Sequence, residues 1–201
     1  MQGKNHVALA LAGALVISPP PLDPLDPLSS LAWVGLVIGS LAPDLDGGGH
    51  IAYAGSNFLP RIVPKLIRDL VDAVGVGISA VVRKLLGHRG ALHWPIWGVI
   101  LWLLGYNAGL LWLQWFGFGY VAHIAGDMLT KSGVPIFGPI WTQDISLSPM
   151  RTGGVIENLL GVGLWLFVSW QLWPVVQSLT DPGYILPLIR RFSSSILSHV
   201  R

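Results

Sequence analysis

Residues 108–129 read AGLLWLQWFGFGYVAHIAGDML, an apolar run in which Asp127 is the one charged side chain. A run of about 20 apolar residues matches the thickness of the hydrocarbon core of a bilayer. Ionisable groups at that depth are energetically expensive and usually functional. The stretch therefore predicts a membrane helix that carries a functional pair, His123 and Asp127.

The composition of the whole chain agrees with a membrane protein. Of 201 residues, 52% are hydrophobic and 11% are charged, and the mean hydropathy is +0.62, whereas soluble globular chains are about 25% charged. A soluble single domain and a disordered chain are both excluded. The 12 basic and 10 acidic side chains are too scattered for a nucleic-acid surface. Because the chain has no Cys, any metal must be held by nitrogen and oxygen ligands.

Hydropathy patterning predicts one all-α domain over residues 1–201, an integral membrane bundle of about five hydrophobic helices with one or two amphipathic surface helices. The apolar runs are residues 7–17, 28–42, 91–104, 108–129 and 155–179. The first run has the length of a secretory signal core, but no small-x-small cleavage site follows it, which favours a retained helix. Residues 64–86 and 185–200 predict the surface helices, because charged residues recur between aliphatic positions.

The distribution of basic residues predicts the orientation of the bundle. Basic residues are concentrated between the second and third apolar runs, at Arg61, Lys65, Arg68, Arg83, Lys84 and Arg89. The connection between the first and second runs instead carries Asp23 and Asp26. By the positive-inside rule, the amino terminus and the long basic segment lie on the cytoplasmic side of a multi-pass membrane protein. Arg190 and Arg191 disagree with a full final crossing, which leaves the carboxyl-terminal orientation open.

Nitrogen and oxygen donors fall at the ends of four helices that an up-down topology brings to that same cytoplasmic face. The donors are His6, Asp44, Asp46, His88, His93, His123 and Asp127. His123 and Asp127 have the i, i+4 spacing with which a helix presents two ligands to one ion. The set exceeds what one tetrahedral zinc requires and suits two divalent ions of zinc, manganese or iron.

Two of these donors also have a structural interpretation, and Glu157 and Arg89 are further candidate site residues. Asp44 can cap the next turn and Asp46 can form a turn. Glu157 can complement a helix amino terminus or act as a catalytic base or extra ligand. Arg89 is a candidate catalytic residue that binds an anionic substrate group, with a lipid-headgroup contact as the alternative.

The chain resembles the YdjM-type family of membrane-bound, metal-dependent hydrolases, also labelled LexA-binding inner-membrane proteins. The resemblance lies in His6 and in four stretches, namely Leu41-Ala-Pro-Asp-Leu-Asp46, His88-Arg-Gly-Ala-Leu-His93, Gly119-Tyr-Val-Ala-His-Ile-Ala-Gly-Asp-Met-Leu-Thr130 and Gly133-Val-Pro-Ile-Phe-Gly-Pro139. It covers the chain from near its start to about residue 160. The resemblance implies that these donors hold the metal of a hydrolase.

This chain departs from the family pattern at two places. Gly47 stands where the family tends to have His after the second Asp, and the nearest His is His50. In the His-Arg-Gly box, Leu92 and Trp94 replace two hydroxyl residues. Both changes leave the metal donors in place, but they remove the contacts that the two hydroxyl groups would supply.

The leading hypothesis is a hydrolase in which two metal ions activate water for attack on a phosphoester or another anionic amphiphile, such as a phospholipid or an isoprenoid phosphate. Membrane lipids are the expected partners, and no nucleic acid is expected. One alternative is a non-enzymatic metal carrier or sensor, for which donors should lie at several depths. Another is a scaffold protein whose donors hold one structural metal.

Overall fold

A computed structural model describes residues 1–17, 27–46, 53, 56, 60–86 and 90–180. Its helices are α1 (Gly3–Ile17), α2 (Pro27–Gly39), α3 (Lys65–Leu86), α4 (Pro95–Ala108), α5 (Leu111–Met128) and α6 (Val155–Thr180), with short 3₁₀ turns at Ala42–Asp46 and Ala91–His93. In the described ranges, extended backbone segments pair only in two isolated β-bridges. The all-α prediction is confirmed for these residues. The predicted surface helix at 185–200 lies outside them.

Helix α5 is the centre of the bundle. Helices α1, α2 and α4 all pack against α5, and α6 packs against α1. One buried cluster lies along the first half of α5 and a second lies towards its end; their members are Ala10, Ala14, Ala32, Leu36 and Trp115 in the first, and Ala42, Tyr120, Ile124 and Val134 in the second. Since the first cluster is mostly alanine, the three helices that build it approach one another closely.

Glycines allow α2 and α5 to pack backbone against backbone. A Cβ atom on Gly39 would lie 2.0 Å from the carbonyl oxygen of Phe116, and one on Gly119 would lie 2.2 Å from the carbonyl oxygen of Leu36. No residue with a side chain fits at either position without moving the helices apart. Gly35 and Gly39 have the small-xxx-small spacing that is common where membrane helices meet.

The turn between α4 and α5 ends α4 later than the sequence predicts. The apolar run at 91–104 suggested an end at residue 104, but α4 continues to Ala108. Gly109 takes a φ of 67° there, in the left-handed region that glycine favours. The N–H of Leu110 then donates to the carbonyl of Gly105 at 2.8 Å, which closes the helix with a Schellman arrangement.

Among the described helices, α6 alone is both long and apolar enough to cross a membrane, over Val155–Gln177. In its most apolar window only 11% of residues are buried inside the protein, so most of its side chains face outward, unlike those of a soluble core helix. Helices α1, α2 and α4 are apolar but have 15, 13 and 14 residues, about 20 Å each against a hydrocarbon core of about 30 Å. The predicted count of five membrane helices therefore stays a prediction.

Helix α3 occupies the predicted amphipathic segment. It presents exposed apolar side chains such as Leu66, Leu70 and Val81, and it also carries Lys65 and Asp69, which pair at 2.6 Å. It packs against the 3₁₀ turn Ala42–Asp46. The helix is observed, and its position on a membrane surface stays a prediction.

The close contact between α2 and α5 predicts a sharp response to a single methyl group. Gly119→Ala should separate the two helices and destabilise the protein by about 1–3 kcal/mol, because neither backbone can yield locally. Thermal unfolding of the detergent-solubilised protein should occur several degrees lower. Gly163→Ala in α6 is the matched control, since a Cβ at Gly163 meets nothing within 4 Å. An equal melting temperature for both variants would contradict the assigned packing.

Candidate metal centre

The last two turns of α5 place His123 and Asp127 on one face of the helix. Nε2 of His123 lies 3.5 Å from Oδ2 of Asp127. The exposed fractions of these residues are 0% and 1%. The i, i+4 spacing therefore produces a buried imidazole and carboxylate that face each other.

Two 3₁₀ turns add a carboxylate and an imidazole to this pair. Asp44, in the turn after α2, has Oδ1 3.7 Å from Nε2 of His123. His93, in the turn before α4, has Nε2 3.7 Å from Oδ2 of Asp127. One donor atom from each of the four residues lies within 4.8 Å of the others, which is a spacing that can hold a metal ion. The Asp44 side chain is 34% exposed, so this cluster has one open flank.

His6 approaches the other side of the same carboxylate. Its Nε2 lies 3.3 Å from Oδ1 of Asp127, and its ring stacks on that of His123 with the centroids 3.7 Å apart. Gly126 makes room for it, because a Cβ there would lie 2.9 Å from Nδ1 of His6. Asp127 thus presents one oxygen to His6 and the other oxygen to His93 and His123.

The backbone fixes the orientation of the His123 ring. Its Nδ1 lies 2.8 Å from the carbonyl oxygen of Ser40, and a ring nitrogen next to a carbonyl acts as the N–H donor. The lone pair is then on Nε2, which is buried and has no hydrogen-bond partner in the described residues. A backbone carbonyl that fixes a ring in this way is a usual companion of a metal-bound histidine.

The donor set is suited to a cation. The orphaned Nε2 of His123 faces two carboxylate oxygens, from Asp44 and Asp127. The amino group of Met1 donates to Oδ1 of Asp127, so this carboxylate already accommodates a positive charge. A metal ion bound between the imidazoles and the carboxylates of Asp44 and Asp127 would neutralise more of the negative charge of this cluster.

Tyr120 and Ser40 are site residues that the sequence analysis missed. The hydroxyl of Tyr120 donates to the carbonyl of Leu92, which fixes the turn that carries His93. Tyr120 lies one turn before His123 on α5, and this spacing was the available signal. No sequence signal pairs Ser40 with His123, which lie 83 residues apart.

The structure brings together five of the seven predicted donors: His6, Asp44, His93, His123 and Asp127. Asp46 ends the first 3₁₀ turn, and its side chain lies outside the described part of the structure. His88 lies outside the described residues, as does Arg89, the predicted anion-binding residue. Their roles stay predictions.

Glu157 has a different set of partners. It is fully buried at the start of α6. Its Oε1 accepts hydrogen bonds from the backbone N–H of Gln2 at 2.6 Å and from Nδ2 of Asn5 at 2.8 Å, and its Oε2 accepts from the N–H of Gly153 at 2.7 Å. This carboxylate joins the start of α6 to the start of α1, beside His6. The pattern agrees with the helix-terminus interpretation, and a role as base or ligand stays a prediction.

Replacing the Glu157 carboxylate by an amide should weaken the contact between the starts of α1 and α6 without removing metal from the candidate centre. Glu157→Gln turns one acceptor into a donor that faces other N–H groups, which should lower stability by about 1–3 kcal/mol. Metal content, measured on the same folded preparation, should stay at the wild-type level. A variant of wild-type stability that has lost metal would instead identify Glu157 as a ligand.

Comparison with known proteins agrees with the motif resemblance. The inner membrane protein YdjM of Escherichia coli (strain K12) is 26% identical over 106 residues, which cover 47% of this chain and 52% of that protein. YdjM of Shigella flexneri gives the same values, so the match spans about half the length of these relatives. No solved structure matches the chain. The family model described as YdjM inner membrane protein matches residues 1–194, and the chain therefore belongs to this inner membrane protein family.

Proposed function

We propose that this protein is a membrane-embedded, metal-dependent hydrolase that acts on a phosphoester or another anionic headgroup of an amphiphile. The observation that carries the proposal is the cluster of Asp44, His93, His123 and Asp127, whose donor atoms lie within 4.8 Å of one another. Three of the four are buried, whereas Asp44 is partly exposed. A purely structural metal site is usually closed, and an open flank is the mark of a catalytic one.

The ligand types narrow the choice of metal. Imidazole nitrogens and carboxylate oxygens without thiolates suit zinc, manganese or iron. The carbonyl of Ser40 behind His123 supports a ligand role for that ring, since it fixes which nitrogen carries the lone pair. We assign the first ion to this cluster.

The second ion would use the Oδ1 side of Asp127. Its Oδ1 faces His6 and the amino group of Met1, whereas its Oδ2 faces His93 and His123. If two ions bind, Asp127 would help to hold both, and the ion on the Oδ1 side would replace the amino group of Met1. Asp46 and His88 are the predicted further ligands of the second ion.

A bound metal pair supplies an activated water and stabilises charge on the attacking and leaving oxygens, so no Ser or Cys nucleophile is needed. The protein residues hold and aim the ions: His123 through Ser40, and His93 through the turn that Tyr120 fixes. In this proposal Arg89, which directly follows His88 in the sequence, binds the anionic group of the substrate.

The membrane setting supports an amphiphilic substrate. The family is one of inner membrane proteins, and α3 carries basic and exposed apolar side chains beside the turn that holds Asp44. A site at such a surface meets lipid headgroups rather than soluble metabolites. A metal carrier is the rival function, and donors gathered at one place in the described residues favour the enzyme.

Loss of the shared carboxylate should abolish hydrolysis. Asp127→Asn keeps the shape of the side chain but removes its charge, and should lower the hydrolysis of short-chain phospholipid and isoprenoid phosphate substrates by roughly 100-fold or more. Asp69→Asn is the matched control, because Asp69 is an exposed carboxylate on α3 paired with Lys65. That control should retain wild-type rates.

Two results would contradict the proposal. Equal rates for Asp127→Asn and Asp69→Asn would place the catalytic site elsewhere. Metal-bound wild type that hydrolyses none of these substrates, but moves metal into sealed vesicles, would establish the carrier function instead.

Metal removal should also destabilise the fold, because an ion that binds only the native state adds its binding free energy. At a free metal concentration 1,000-fold above the dissociation constant, this contribution is about 4 kcal/mol. Chelation should therefore lower the melting temperature of the wild type and leave that of Asp127→Asn unchanged. If neither added metal nor chelator changes the melting temperature of the wild type, the assignment of a metal site to this cluster is refuted.

A further inference from the structure

The chain between α5 and α6 forms a closed loop that is mostly apolar. The N–H of Lys131 donates to the carbonyl of Met150 at 2.7 Å, which closes the base of the loop. Residues 132–143 carry no charged side chain. Val134 is fully buried in the cluster that also contains Tyr120. The loop is therefore anchored in the core of the protein, and its position relative to the helices is fixed.

The tip of this loop, residues 135–141, presents large apolar side chains outward. Ile140 is 96% exposed, and Phe137 and Trp141 are each 53% exposed. The rings of Phe137 and Trp141 stack with their centroids 6.0 Å apart. A single exposed apolar side chain is ordinary, but three together at one tip indicate a surface that contacts a membrane or another protein.

The backbone of the tip forms hydrogen bonds within itself. Its N–H groups donate to carbonyl oxygens of residues 134–137, and the donors are Ile136, Gly138, Ile140 and Trp141. Residues 135 and 139 are prolines, which have no N–H to donate. An apolar phase accepts a peptide backbone only when its polar groups are satisfied internally. The tip is therefore better suited to a lipid phase than to backbone pairing with a partner protein.

Contacts of the loop place it beside the starts of two apolar helices. Gly138 leaves no room for a side chain, because a Cβ there would overlap the indole of Trp94, the residue directly before α4. Residues 151–154 connect the base of the loop to α6, a span of at most about 18 Å. The first turns of both helices expose apolar side chains, namely Ile96 and Trp97 on α4 and Val155 and Ile156 on α6. The loop thus lies at the end of the protein where α6, the helix that is long and apolar enough to cross a membrane, begins.

We propose that Phe137, Ile140 and Trp141 insert into the interfacial region of the bilayer beside the start of α6 and anchor this end of the protein to the lipid surface. The chain belongs to an inner membrane protein family, and aromatic side chains favour the level of the lipid headgroups. Because Trp94 directly follows His93, the anchored tip also holds the turn that carries this donor near the membrane surface. Anchoring of this kind does not depend on whether the metal cluster catalyses hydrolysis.

The test uses the full chain in nanodiscs of phosphatidylethanolamine and phosphatidylglycerol. Because the chain has no Cys, Ile140→Cys introduces a single thiol for the fluorophore NBD. Asp144→Cys is the matched control, at an exposed polar position on the same loop. Val162→Cys, at an exposed position on α6, marks the acyl-chain region. Quenching of each label is measured with iodide in the water and with lipids that carry a nitroxide at a known depth.

The label at residue 140 should be quenched by nitroxides on the headgroup and the upper acyl chain, and several-fold less by iodide than the label at residue 144. The label at residue 162 should be quenched best by the deeper nitroxides. Adding Trp141→Ser to the Ile140→Cys protein removes a ring from the tip, and should raise iodide quenching at residue 140 several-fold. Trp173→Ser, about 27 Å further along α6 than Val155, is the control that should leave this quenching unchanged. Equal melting temperatures would show that these variants are folded.

Equal iodide quenching at residues 140 and 144, without quenching by any nitroxide lipid, would overturn the proposal, because the tip would then lie in water. A label at residue 140 that neither iodide nor nitroxide lipids quench would also overturn it, since a second copy of the chain or another protein would then cover the tip. Quenching at residue 140 that is the same with and without Trp141→Ser would contradict an anchor formed by that ring.

Discussion

A carboxylate buried among imidazoles is the constraint on which the rest of the structure depends. Asp127 is 1% exposed and faces His6, His93 and His123. Removing a carboxylate from water costs several kcal/mol even after the protein relaxes. The amino group of Met1 donates to Oδ1 and offsets part of that cost, and a metal ion beside Oδ2 would offset more of it. Separate segments of the chain thus converge on one carboxylate and form a cluster that could hold a metal ion.

The close packing of the helices is what makes this geometry possible. Gly119 lets α2 approach until the carbonyl of Ser40 reaches His123, and Gly126 lets α1 approach until His6 stacks on the same ring. Glu157 then secures the start of α1 against α6. The helix contacts therefore position the site, because each of these contacts between two backbones also sets the position of a donor.

Local patterns in the sequence were sufficient for the helices and for much of the site. Apolar runs gave the all-α class, and the i, i+4 spacing gave His123 with Asp127. Alternation of helix directions indicated that Asp44 and His93 would meet them. Non-local contacts could not be predicted, because they depend on distances between backbones that residue spacing does not encode. One is the contact of the Ser40 carbonyl with His123. The other is the set of hydrogen bonds that Glu157 accepts from residues more than 150 positions away. The length of α4 was missed since Gly109, rather than Gly105, closes it.

The most direct test of the metal centre is elemental analysis of the purified full chain, wild type beside His123→Ala and Asp44→Ala. The account predicts about two divalent ions per chain in the wild type and loss of metal in both variants. Metal-free wild type, or metal content that is equal in all three proteins, would contradict the assignment of these residues as ligands.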